Sequence, residues 1–272
     1  MSTIDDKKIK IAFFGTPEVA VYVLDELEKF GILPDIAITA SNKPKGRKMI
    51  LTPPPAKVWA EKHGIPVKQP EKLLDIADKL KDGGYNLFIV AAYGKIIPKK
   101  ILDIPKHGIL NVHPSLLPRL RGASPIQSAI LEEDKTGVTI MAIDEEMDHG
   151  PIVAQEEIEI SDWPPKANEL EEILARRGGQ ILAKIIPKWV AGEIKPVEQK
   201  HDKATYCKKI TKQDGLIDLD EEAEMIKRKV CAFTPWPSAY FFANGKRIII
   251  MEAETKNGEL KIKKIKPAGK NE

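Results

Sequence analysis

Asn111-Val112-His113-Pro114-Ser115-Leu116-Leu117-Pro118-Arg119-Leu120-Arg121-Gly122 is the stretch from which the rest of this sequence is read. Directly before it, Ile109 and Leu110 close an apolar run that reads as a buried strand of a parallel sheet. Asn111 and His113 then emerge at the carboxyl end of that strand, the edge at which open α/β sheets carry their chemistry. Period-two alternation puts Asn111 and His113 on one side and turns Val112 to the other. Pro114 and Pro118 fix φ and rule out a regular helix, leaving a stiff loop whose 115–118 backbone can lie against a flat ligand. Gly122 permits a tight turn, and residues 123–131 resume as a helix.

A second piece has to meet this one. Residues 137–143 form an apolar, β-branched strand, followed by the acidic loop Asp144-Glu145-Glu146-Met147-Asp148-His149-Gly150. An amide, an imidazole and a carboxylate brought together are what acyl transfer needs. Asn111 would bind a developing oxyanion, His113 would move or stabilise charge, and Asp148 would orient and tune them. Spacing alone leaves the plainer alternative standing: an Asn-x-His after a strand is commonly a loop cap, and an Asp in an acidic loop is commonly just solvated.

Upstream, residues 9–14 read as a short strand broken by Gly15-Thr16-Pro17, with Thr16 as N-cap and Pro17 at the first position of a helix over 18–30. The Gly-x-Gly-x-x-Gly spacing of a dinucleotide site is missing from this turn. After a strand at 35–40, residues 41–55 hold Lys43, Lys45, Arg47 and Lys48 without an acidic residue, and their Gly and Pro content predicts an irregular, exposed, positive loop. Helices at 55–63 and 71–81 flank a strand at 65–68. The strand at 86–92 ends in Tyr93-Gly94, again at the catalytic edge, and a short helix covers 98–104. Residues 152–160 read as an outer strand, and 168–186 as an amphipathic segment interrupted at Gly178-Gly179.

Strands alternating with helices predict an α/β fold with a doubly wound, mostly parallel, Rossmann-like sheet over residues 1–186. A polar, Pro- and Lys-bearing linker is expected at 187–203, and a smaller, truncated, β-rich C-terminal domain at 204–272. That domain shows a helix at 221–232, the corner Phe233-Thr234-Pro235-Trp236-Pro237, and three strands at 239–242, 247–252 and 259–266.

The 272 residues suffice for two domains, and a net charge of +3 does not by itself announce a nucleic-acid partner. Cys207 and Cys231 lie far apart without metal-ligand spacing, so neither a metal site nor a disulfide scaffold is expected, which fits a reducing cytoplasm. No apolar run reaches membrane-spanning length, and the polar start does not read as a targeting signal. A monomer is the default.

The run from Asn111 to Gly122, continued by Pro125-Ile126-Gln127, resembles the formyltransferases that use 10-formyltetrahydrofolate. So do Thr139-Ile140-Met141 and the Met147-Asp148-x-Gly150 turn, and the likeness begins at Ile11-Ala12-Phe13-Phe14-Gly15-Thr16-Pro17-Glu18 and covers nearly the whole chain. Within that family the match is nearest to members acting on methionyl-initiator tRNA, in translation initiation. The resemblance implies catalysis by Asn111, His113 and Asp148, with the folate held by Tyr93, Gly94 and the Ser115, Leu116, Leu117, Pro118 backbone. It also implies tRNA contact by Lys43, Lys45, Arg47 and Lys48, and a C-terminal domain of the oligonucleotide-binding (OB-like) type, here shortened. Arg119 and Arg121 would meet a carboxylate tail or a phosphate, and the sequence does not choose between them. Two rivals share parts of the pattern: a sugar-nucleotide N-formyltransferase with the same donor, and a non-catalytic tRNA-binding homologue.

Overall fold

A computed structural model describes residues 9–46 and 48–268. The chain runs β1 (Ile11–Gly15), α1 (Glu18–Lys29), β2 (Ile36–Ile38), β3 (Lys43–Lys45), β4 (Ile50–Thr52), α2 (Pro55–Lys62), β5 (Val67–Lys68), α3 (Ala77–Asp82), β6 (Leu87–Ala91), α4 (Lys99–Leu102) and β7 (Ile109–His113). It continues with β8 (Arg121–Gly122), α5 (Pro125–Glu132), β9 (Thr136–Ala142), β10 (Ile152–Ile158), α6 (Ala167–Val190), β11 (Tyr206–Cys207), α7 (Ala223–Ala232), β12 (Tyr240–Ala243), β13 (Lys246–Lys256) and β14 (Glu259–Pro267).

Seven strands make one sheet in the order β10-β9-β7-β6-β1-β2-β5. The pairs joining β5, β2, β1, β6 and β7 are parallel, whereas β9 is antiparallel to β7. Runs such as Leu-Phe-Ile-Val-Ala in β6 are buried at every position, as a sheet covered on both faces requires. The expected doubly wound, mostly parallel sheet is therefore observed. Alternation sorts its side chains: Ala12, Phe14, Phe88, Val90 and Ile109 share a core with Leu73, Ile76, Ala77, Leu80 and Ile101 on one face. On the other face α6 and α1 pack closely. A Cβ on Gly178 would stand 2.4 Å from Val112 Cγ1, and one on Gly179 would stand 2.8 Å from Glu26 Cβ.

Those two glycines were expected to interrupt the helix, yet α6 is continuous across them and past Pro187. Their role is close approach, because two positions without side chains let a helix backbone touch strand and helix neighbours. Glu26, buried on α1, makes the same contact polar: its carboxylate accepts from Arg176, Gln180 and Lys29. Although its burial works the other way, these partners leave its pKa below the usual carboxylate value.

Compactness divides the chain into two units that interleave along the sequence. The first comprises Met1–His113, Val138–Gln155 and Ala175–Gln199; the second comprises Pro114–Gly137, Glu156–Leu174 and Lys200–Glu272. In the second, α5 and the start of α6 share a core with Ile210, Ala232 and Phe233. There too the antiparallel sheet β12-β13-β14 packs on α7 through Ile226, Val230, Ala239 and Ile250. Among the described residues it has the three strands expected at the C terminus, with β13 longer than foreseen.

Residues 41–55 are more ordered than their composition predicts. Lys43, Pro44 and Lys45 pair antiparallel with Thr52, Leu51 and Ile50. Gly46 (φ 73°) and Met49 (φ 50°) turn the chain, and Met49 N donates to Gly46 O at 3.2 Å. Pro44 sits on an edge strand, where a missing N–H is tolerated.

Candidate active site

The face that receives Ile109 also receives Asn111 and His113, whereas Val112 turns to Gly178 of α6 as alternation demands. His113 is 4% exposed and opposes the fully buried Thr139 across the β7–β9 ladder, and Thr139 accepts a hydrogen bond from Gln155. Asn111 opposes Met141 and is half-buried.

Because β9 runs antiparallel, the acidic loop leaves from the end at which β7 enters the sheet, Ile143 N donating to Ile109 O. It must fold back to reach His113, and it does: Asp148 Oδ1 lies 3.6 Å from His113 Nδ1. That is an ion-pair distance, longer than a hydrogen bond, as is common where a catalytic contact tightens only around substrate. The pair sits in a poorly hydrated place, with side-chain exposures of 5% and 16%.

The fold-back is held by short polar contacts. Asp144 accepts from Glu146 N at 3.0 Å and pairs with His149 Nδ1 at 2.6 Å, while Ala142 N donates to Pro151 O. Asp148 itself adopts φ 50°, a left-handed conformation that costs about 1 kcal/mol outside glycine. A Cβ at Gly150 would lie 2.0 Å from Ala142 O, so only glycine fits there. One contact has no local pattern in the sequence to mark it: Gln199, from the stretch expected as a linker, donates to the carbonyls of Asp148 and Gly150.

Around the same sheet edge, Thr16 accepts a hydrogen bond from Ala40 N and donates to Tyr93 O, tying the ends of β1, β2 and β6. It does not cap α1 as foreseen. Pro17 takes that position with extended backbone and no side-chain bond. Tyr93 is buried edge-on against Phe14, its hydroxyl has no partner, and burial pushes its pKa up to about 12. Gly94 follows with φ 75°, exposed, and with open space where a Cβ would be.

In the second unit, Ser115 donates its hydroxyl to Arg119 O at 2.7 Å, and Arg119 N donates to Leu116 O. Leu117 is buried, and Leu116 packs where a Cβ on Gly137 would stand 2.5 Å from its Cδ2. Side chains at 115–117 thus build the loop, so a flat ligand would meet mainly its backbone. Arg119 pairs with Glu133. Arg121 is 1% exposed and bonds Tyr206 and His201, which leaves it no open path to a phosphate.

Lys43, Lys45 and Lys48 are all exposed on the β3–β4 hairpin, while Arg47 lies outside the described residues. Beside the hairpin, Thr16, Ser41, Lys43, Lys45, Trp59 and Lys62 line a cavity of about 550 Å³. No group of three or more metal-ligating side chains occurs among the described residues. No helix among them is long and apolar enough to cross a membrane.

Comparison with known proteins places these features. Residues 7–186 match the model of the formyl transferase family, and residues 209–272 match that of the formyl transferase C-terminal domain. A relative named methionyl-tRNA formyltransferase from Chloroflexus aggregans is 44% identical over 250 residues, covering 90% of this chain and 80% of its own. One of the same name from Bacillus subtilis is 40% identical, covering 89% and 77%. Among solved structures, a methionyl-tRNA formyltransferase from Clostridium thermocellum superposes with a TM-score of 0.64 at 19% identity, covering 96% and 99% of the two chains. An N-formyltransferase from Helicobacter canadensis, in complex with folinic acid and dTDP-3-aminofucose, gives 0.70 at 19%, covering 92% and 89%. At those identities the structures speak for the fold alone; the two sequence models, which together take in most of the chain, show that it belongs to the formyl transferase family.

Proposed function

We propose that this chain transfers the formyl group of 10-formyltetrahydrofolate to the α-amine of methionyl-initiator tRNA, as a cytoplasmic, monomeric enzyme of translation initiation. The observation that carries the reading is the fold-back of Asp148 onto His113, on the face that also bears Asn111, in a chain 40–44% identical to relatives named for this activity.

An α-amine has an ordinary pKa of about 7.7 to 8.0, so a useful fraction is neutral near pH 7 and no strong base is needed. Attack forms a bond from the amine nitrogen to the formyl carbon and drives charge onto the formyl oxygen. Asn111 and His113 are assigned to that oxyanion, and Asp148 holds His113 and takes up, directly or through water, the proton the amine loses. Collapse breaks the bond to the folate nitrogen, which receives a proton.

The folate is assigned to the Tyr93-Gly94 turn and the Ser115, Leu116, Leu117, Pro118 backbone, the tRNA to Lys43, Lys45, Arg47 and Lys48. Residues 1–186 are taken as the catalytic region and 204–272 as the tRNA-binding one. Support for the first assignment is the open left-handed glycine beside a buried aromatic; support for the second is the exposed lysines beside a cavity lined in part by Lys43, Lys45 and Lys62.

One assay tests the proposal: purified protein with 10-formyltetrahydrofolate, offered methionyl-initiator tRNA, uncharged tRNA and an amino-sugar nucleotide. Formylation of the charged tRNA alone is expected. Turnover of the amino sugar instead, or of nothing, overturns it.

A further inference from the structure

Val197 and Ile152 exchange two backbone hydrogen bonds of 2.8 Å, N to O in each direction, and this pairing lays residues 197–199 beside the exit of the acidic turn. Gln199 is the one residue of that stretch that goes inside. It is 4% exposed, whereas Glu198 and Lys200 on either side are exposed. Its Nε2 donates both hydrogens, one to Asp148 O at 2.9 Å and one to Gly150 O at 2.7 Å. A single primary amide thus bridges the two carbonyls that flank His149.

The turn has reason to need this. Asp148 holds a left-handed φ of 50°, and a side chain at Gly150 would run into Ala142 O, so this bend is packed closely against β9. A buried Gly150 carbonyl and a part-buried Asp148 carbonyl left without donors would each carry a desolvation cost, and the cheapest escape for Asp148 is rotation about its own φ and ψ. Such a rotation swings the carboxylate on its short side chain. Displacements of about 1 Å at a reacting group cost on the order of 10²-fold in rate.

We infer that Gln199 is a positioning residue for formyl transfer: by anchoring the carbonyls of Asp148 and Gly150 it fixes the backbone conformation from which the Asp148 carboxylate faces His113. It is not a catalytic residue in its own right. The inference rests on the proposed role of Asp148.

The test compares Gln199→Met, which keeps the shape and removes the donors, with Gln199→Glu, which sets an oxygen against the two carbonyls unless it is protonated. Steady-state kinetics with 10-formyltetrahydrofolate and methionyl-initiator tRNA are expected to show kcat for the Met variant about 10- to 50-fold down, with both KM values within about twofold. The Glu variant, divided by wild type at each pH, should recover as pH falls from 8 toward 5 and its carboxyl gains a proton able to donate. Combined with Asp148→Asn, Gln199→Met should add nothing to the loss that Asp148→Asn causes alone. A Met variant with kcat within twofold of wild type overturns the inference, as does a loss that multiplies with Asp148→Asn. So does a loss carried equally by the KM for folate, which a merely structural clamp would give. Should the Met variant fail to fold, the Glu ratio decides, and a ratio flat with pH overturns the idea. Near-normal turnover in Asp148→Asn would instead sink the reading of the site itself, and this inference with it.

Discussion

Two segments of the first unit, the acidic turn at 144–150 and the lysine hairpin at 43–52, are both polar connections, yet they are built oppositely. The turn is cross-braced by Asp144, His149, Gln199 and a glycine with no spare space, and the Asp148 carboxylate is mostly covered. The hairpin is held by its own three-residue ladder and leaves Lys43, Lys45, Lys48, Met49, Ile50 and Leu51 exposed. Bond-making chemistry demands groups fixed to a fraction of an ångström in a dry place, whereas gripping a large polyanion demands reach and charge. On the proposed roles, changes in the turn should act on kcat and changes in the hairpin on KM.

The sharpest way to break it is at the turn. Asp148→Asn and His113→Ala are expected to lower kcat by roughly 10²- to 10⁴-fold, and Asn111→Ala to raise the barrier by roughly 2.7 to 4 kcal/mol, with folate affinity little changed. Single-turnover formylation measures both, and near-normal turnover in all three removes the site. Next in size is Gly178→Ala. A methyl there meets Val112 on the strand that carries both catalytic candidates, so a loss of about 1 to 3 kcal/mol in stability is expected by chemical denaturation. An unchanged midpoint would mean that α6 yields easily.

Smaller again is the hairpin. Replacing Lys43, Lys45 and Lys48 by Ala together should raise KM for tRNA about tenfold, leave kcat alone, and flatten the slope of log affinity against log salt by up to about three. A fall in kcat would erase the distinction drawn between the two segments. The smallest effect belongs to Tyr93→Phe. Its buried hydroxyl has no partner, so removal is expected to leave stability unchanged or raise it by about 1 kcal/mol. Because burial lifts the folded pKa to about 12 above an ordinary value near 10, the neutral phenol's contribution is present below pH 10 and lost as pH rises from 10 to 12. Denaturation at pH 8 and 11 should therefore show wild type losing stability that the Phe variant keeps.

Much of the frame was legible in the letters because it follows period and composition. The all-apolar β6 and the alternation of Asn111, Val112 and His113 needed only the geometry of a strand. What escaped was set by partners far along the chain. Gly178 and Gly179 read as a break in helix α6 until the strand and helix they press against are known. Thr16 read as a cap because caps are local, while its hydroxyl is spent on Ala40 and Tyr93. Lys43 to Thr52 read as irregular because Pro and Gly weigh against strands, although an edge hairpin admits both. Gln199, polar amid polar neighbours, gave no sign at all, since its meaning lies in two carbonyls about fifty positions upstream.

Helix α6 belongs to the second unit at its start and to the first from Ala175 onward, and the second unit draws on three separate stretches of chain. This has a bearing on how the molecule is born. A nascent polypeptide finished as far as Gln199 already holds Asn111, His113, Asp148 and the amide bonded to the Asp148 and Gly150 carbonyls, yet Ile126, Ile130, Leu170 and Leu174 still await Ile210, Ala232 and Phe233. The first unit can be complete on the ribosome while the second, including helix α5 immediately downstream of β7, stays open until Ala232 and Phe233 have emerged.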